Sequence, residues 1–126
     1  MSAEIVVLEQ RVPLQQLRAL VAGGFGDMVK FVADVRRRVI ALGGQLHADA
    51  ELLLLESGSA QEDLWGANYF PGRGREGCIE FTSFINIRPA QANPGMEVVD
   101  AALQASIRDL AFELIGTGES LDHAST

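Results

Sequence analysis

The strongest constraint in this sequence is its punctuation. Gly23-Gly24, Gly43-Gly44, Gly58, the run Pro71-Gly72-Arg73-Gly74-Arg75-Glu76-Gly77, Pro89 and Gly116 interrupt every apolar pattern before it runs far. Glycine and proline both end regular elements, so the chain is left with short segments whose apolar period alternates between two and about 3.6. No run of large aliphatic residues exceeds four, as in the leucines 52–55, far short of the roughly 18 apolar residues of a membrane span. No internal repeat of useful length is present.

Residues 4–9 are rich in Ile and Val and read as a short, partly buried strand. Pro13 suits a first helical turn, and Leu14, Leu17 and Val21 recur at spacings of three and four until the glycine pair stops them. Residues 28–34 and 39–42 form a predicted hairpin with Arg36, Arg37 and Arg38 at its exposed turn. Residues 46–57 are rich in Ala, Leu and Glu and precede Gly58, which reads as a helix with Leu46, Ala50, Leu53 and Leu54 on its buried stripe. Residues 64–70 and 78–88 are predicted strands joined by the glycine-rich loop, and Pro89 ends the second. Val99, Leu103, Ile107, Leu110 and Leu114 step by four, four, three and four, which specifies a final helix. The order β-α-β-β-α-β-β-α with hairpins dominant predicts an α+β fold. In it, a mostly antiparallel sheet of about five strands carries helices packed on one face.

At 126 residues the chain is sized for one domain, expected over 1–115, with a flexible tail at 116–126 that has little to bury. Seventeen acidic against ten basic residues give a net charge of −7, which argues against a surface for duplex nucleic acid. The single cysteine, Cys78, makes no internal disulfide, and the N-terminus lacks the basic and long apolar regions of a signal peptide, so a cytoplasmic setting away from membranes is expected. A small chain with open hairpin edges gains buried area by pairing, so a homodimer is expected, with the edge arginines acting against it.

Several strings occur together: His47-Ala48-Asp49-Ala50-Glu51, Gly58-Ser59, Gln61, Asp63-Leu64-Trp65-Gly66, Asn68, then Ser83 with Ile85-Asn86-Ile87-Arg88-Pro89. In combination they resemble an uncharacterised domain-of-unknown-function family of small prokaryotic proteins, over roughly residues 29–114. The resemblance implies no activity.

Two clusters carry chemistry. If 64–70 pairs with 78–88 across the loop, Phe70 opposes Cys78 and residues 86–88 lie beside 60–62. Asn86 and Arg88 would then sit near Ser59, Gln61 and Asn68, with Trp65 adjacent, a donor set able to orient a small anionic molecule or a protein partner. The structural alternative pairs Arg88 with Glu62 or Asp63 and spends Asn86 and Gln61 on loop backbone. With aromatics scarce, Trp65 reads as a core side chain with its indole N–H on a carbonyl ahead of a stacking platform. The second cluster is His47, Asp49 and Glu51. It supports an alternative reading, a divalent-metal-dependent hydrolase with a metal-bound water as nucleophile and Arg88 on the substrate, whereas the binding reading needs no cofactor. The match Gly72-x-Gly74-x-x-Gly77 to a dinucleotide fingerprint lies between strands and opens no crossover helix, so it reads as a flexible loop.

Overall fold

The computed structural model describes residues 4–122. The elements are β1 (Ile5–Leu8), α1 (Leu14–Gly23), β2 (Val29–Asp34), β3 (Val39–Gly43), α2 (His47–Glu56), β4 (Leu64–Tyr69), a single turn α3 (Gly74–Gly77), β5 (Ile79–Glu80) and α4 (Ala101–Leu114). Three 3-10 turns occupy Gln61–Asp63, Phe84–Asn86 and Pro89–Gln91. The strands form one sheet in the order β1-β3-β2-β4-β5, each neighbour antiparallel. This is the α+β architecture that the hairpin pattern specified, with α3 as an addition inside the glycine-rich loop.

The sheet is covered on both sides. Phe31 and Ala33 of β2, Ile40 and Leu42 of β3, and Trp65, Ala67 and Tyr69 of β4 face α1 and α4, whose Leu17, Leu20, Ile107, Leu110 and Leu114 complete the larger core. The alternate residues Val32, Val39, Ala41 and Leu64 face Ala50 and Leu54 of α2. Helices on one face therefore hold for α1 and α4, and α2 is a correction. Every residue of β3 and β4 is buried, so the opposite face also needs a cover, and each fully buried Leu or Ile there contributes roughly 1.5–3 kcal/mol. Within α2, His47 joins Ala50 and Leu54 on the buried stripe, while Leu46 is the N-cap and is 60% exposed. α4 follows its predicted period from Leu103 onward, whereas Val99 precedes the helix and is 61% exposed, and Asp100 caps the helix by accepting from Leu103 N–H at 3.0 Å.

The strand expected over 78–88 is the main correction. Phe70 N–H does donate to Cys78 C=O at 2.7 Å, and the register Asn68↔Glu80 follows. Beyond Glu80 the chain leaves β4: Ser83 N–H donates to Met96 C=O and Val98 N–H to Phe81 C=O, at 3.1 and 3.0 Å. Ser83 then opens the Phe84–Asn86 turn with its hydroxyl accepting from Ile85 N–H. The predicted alternation fails accordingly, with Ile85 packing on the α2 side and Ile87 exposed.

Residues 116–121, read from composition as the start of a loose tail, pack back onto the body. Gly118 N–H donates to the Tyr69 hydroxyl at 2.9 Å, Gly72 and Gly74 N–H donate to Gly118 C=O at 3.0 Å, and Arg18 Nε donates to Leu121 C=O at 3.1 Å. His123 and the rest of the predicted tail lie outside the described residues.

Candidate functional site

The Ile85-Asn86-Ile87-Arg88-Pro89 string builds a clamp between the 84–91 turns and β4. Arg88 lies 4.3 Å over the Trp65 ring. Its Nε donates to Ile85 C=O at 3.0 Å, and Nη1 donates to Gln61 C=O at 2.8 Å and Gln91 Oε1 at 3.2 Å. Nη2 donates to Leu64 C=O and pairs with Glu51 at 3.9 Å. The guanidinium, with its side chain 10% exposed, is thus spent on backbone carbonyls, a carboxylate and a ring, and presents no open fork to an anion. The charge partner is Glu51 of α2, where the sequence suggested Glu62 or Asp63.

Asn86 is fully buried and acts as a substitute peptide group. Its Oδ1 accepts from Gly66 N–H and its Nδ2 donates to Gly66 C=O, both at 2.9 Å, with a further bond to Met96 C=O at 3.1 Å. This side chain takes the place on β4 that a longer β5 would have filled. Gly66 makes the approach possible: a β-carbon there would lie 2.7 Å from the Ser83 side chain and 3.2 Å from His47 Cδ2. Asn93, which the sequence reading passed over, secures the same loop by donating to Asn86, Gly95 and Glu97 carbonyls and accepting from Val99 N–H.

The remaining members of the expected anion set go elsewhere. Ser59 donates to buried Asp34 at 2.6 Å and accepts from Arg37 at 2.7 Å, tying the arginine hairpin to the end of α2. Gln61 is exposed and contributes its carbonyl to Arg88. Asn68 donates to Glu80 at 2.8 Å, which fixes its amide orientation because a carboxylate only accepts, and turns its buried Oδ1 away from Glu80. Trp65 is 4% exposed and serves the core and Arg88. So Arg88, Asn86, Gln61 and Trp65 do converge, as a structural clamp, and Ser59 and Asn68 stand apart from it.

The metal set does not assemble. His47 Nε2 lies 2.8 Å from Ala67 C=O and must carry the proton there. Burial first, and then nearby Lys30, lower the His47 pKa, against the bonds to Ala67 and Asn68. Asp49 is exposed, roughly opposite His47 around the helix, and Glu51 is engaged by Arg88. Among the described residues no three His, Cys, Asp or Glu side chains converge as a metal site would require.

A cavity that the sequence did not flag lies where α1, the end of α4 and residues 116–121 meet. It measures about 280 Å³ and is lined by Val12, Leu14, Leu17, Ile115 and Leu121 with Arg11, Tyr69, Glu119 and Ser120. Gly116 marks its polar end: a β-carbon there would lie 2.6 Å from the Tyr69 hydroxyl, 3.0 Å from Glu119 Oε1 and 3.5 Å from Arg11 Nη2. Burial drives the Tyr69 pKa up to about 12, so the hydroxyl keeps its proton. That hydroxyl accepts from Gly118 N–H and donates to no described residue. Partial burial pushes Glu119 upward, but its own amide, the Thr117 amide and hydroxyl, and Arg11 together hold it below the usual carboxylate value. The Arg11–Glu119 contact is long, 3.8 Å, with both side chains more than half exposed, so it is worth little. The one available signal was Gly116-x-Gly118 directly after a helix, which composition made look like slack chain.

The sequence model of a family described as a protein of unknown function, DUF5674, matches residues 6–114. The match starts well before residue 29, so it takes in all but the first residue of β1 and the whole of α1 as well as the strings quoted above. No curated protein and no solved structure matches the chain.

Proposed function

The chain belongs to the DUF5674 family, a family of unknown function, and we propose from the geometry that it is a small binding module whose ligand occupies the cavity between α1 and residues 116–121. The observation that carries this reading is the cavity itself, with apolar walls and a polar end where Arg11, Tyr69 and Glu119 surround a glycine. Convergent polar groups in a mainly apolar recess are what small-molecule sites share. At about 280 Å³ it falls just under the usual range of roughly 300–1,000 Å³, so the ligand is small.

The donors define its chemistry. The Tyr69 proton and the loosely held Arg11 guanidinium offer bonds to an acceptor, and Glu119 is already satisfied by Thr117. A short-chain carboxylate fits, with its head at Tyr69 and Arg11 and its tail along Val12, Leu17 and Leu121. This keeps the small-anion reading while moving it away from Arg88. It requires no cofactor. The net charge of −7 supports a role without duplex nucleic acid. A cytoplasmic setting accords with the buried, unpaired Cys78, and among the described residues no helix is long and apolar enough to cross a membrane.

The test is an NMR titration with butyrate and hexanoate, read at the Gly118 amide. Saturable shifts at Gly118 and Arg11 are expected. Tyr69→Phe and, independently, Arg11→Gln should each weaken binding about tenfold or more, since each removes a bond to a charged group. Shifts confined to other residues, or wild-type affinity in both variants, would overturn the reading.

A further inference from the structure

The two edges of the sheet are unlike. β5 is two residues long, after which the chain turns away into the Thr82↔Glu97 bridge, so that edge is blunted. β1 is the other edge, and at four residues it is twice that length. From Ile5 to Leu8 it has no charge, no proline and an uninterrupted register with β3. Gly44 N–H donates to Glu4 C=O at 3.0 Å. With the register Ile5↔Gly43 and Val6↔Leu42, Glu4, Val6 and Leu8 turn their backbone groups toward β3. Ile5 and Val7 therefore turn theirs outward.

We propose that two copies of this chain join through β1, antiparallel, about a two-fold axis at Val6, giving one continuous sheet across both. In this register Ile5 of each copy faces Val7 of the other, and the outward N–H and C=O groups at these two positions form four hydrogen bonds. Val6 meets its own copy on the α1–α4 side. On the α2 side Ile5 meets Val7, which is 42% exposed in the single chain. This register sets no like charges opposite one another. It sets Glu4 opposite Leu8, whereas a slip of one residue sets Glu4 opposite Glu9 at both ends and faces outward backbone groups against inward ones. A shift of two residues in the same sense pairs Ile5 with Glu9, past the end of β1, and a shift of two in the other sense pairs Ile5 with itself and leaves Val7 beyond the start of the facing β1.

The test is sedimentation analysis of the full chain over a range of concentrations, with Val7→Pro as the variant. Proline at position 7 removes an outward N–H and leaves the β1–β3 bonds intact, so the single chain should fold and keep its far-UV spectrum. The wild type is expected to approach twice its 13.6 kDa mass as concentration rises, and V7P to stay at one mass at least tenfold beyond that midpoint. Hydrogen exchange gives a second readout: the Ile5 and Val7 amides should gain protection with concentration, and the Glu4 and Val6 amides should not change. A wild type that stays single up to millimolar concentration, a V7P dimer equal to wild type, or unprotected Ile5 and Val7 amides in the dimer would each overturn the proposal.

Discussion

Arg88 and His47 show how the same residue types that suggest chemistry can be fully employed in structure. Truncating Arg88 to Ala strips donors from the carbonyls of Ile85, Gln61 and Leu64, uncovers Trp65 and leaves the largely buried Glu51 side chain without its counter-charge. We expect a loss of about 2–4 kcal/mol in urea unfolding. Carboxylate affinity at the Tyr69 cavity should be unaltered under conditions where the variant is folded. His47 gives a pH signature. Its folded pKa lies below the ordinary 6.5, so as pH falls through 6.5 the unfolded chain takes up a proton that the folded one refuses. The unfolded state then binds more protons, and stability drops with falling pH until the folded pKa is reached. The slope is at most about 1.4 kcal/mol per pH unit. Unfolding curves at pH 7 and pH 5 should differ by less in His47→Gln than in the wild type. An equal difference would mean that the imidazole is not held neutral. His47 and Arg88 were legible as special from sequence because each is a polar residue inside an apolar pattern, yet their roles were not. Whether a guanidinium is free or saturated depends on which carbonyls the fold brings to it.

At the scale of elements, residues 116–121 are the segment whose docking makes the cavity, and Gly118 is the residue that permits it. It holds a φ of +82°, and a β-carbon there would collide with the Gly74 carbonyl and lie within 2.6 Å of its carbon atom. Gly118→Ala should therefore release the segment while leaving the sheet intact, at a strain cost of about 1–3 kcal/mol were it to stay docked. The amides of Gly72 and Gly74, which bond to Gly118 C=O, should exchange much faster in the variant, and Val32 in the sheet should not. Unchanged exchange at Gly72 and Gly74 would show that the segment tolerates the side chain. α4 was readable in advance because its burial follows the helical period, and the β2–β3 hairpin because two β-rich runs flank a short arginine turn. The end of β5 was not. The run from residue 78 to 88 alternates well enough to be a strand, and what stops it is competition: the Asn86 amide and the 96–98 segment offer the same backbone groups better partners.

For the molecule as a whole, local signals settled much. Glycine and proline positions, together with apolar periods of two and 3.6, determined an antiparallel α+β fold, the hairpins and the helix order, because those preferences act within a few residues of chain. They also set the Phe70–Cys78 pairing, since a hairpin register follows from its loop. What the tertiary structure alone decided is which face each helix covers, where Arg88 and Asn86 spend their hydrogen bonds, and that a glycine-rich stretch returns to close a cavity over Tyr69. The reason is physical. A donor or acceptor is satisfied by whichever group lies within about 3 Å in space, and for Arg88 and Gln61 or Tyr69 and Gly118 that group is distant along the chain, where no local period can register it.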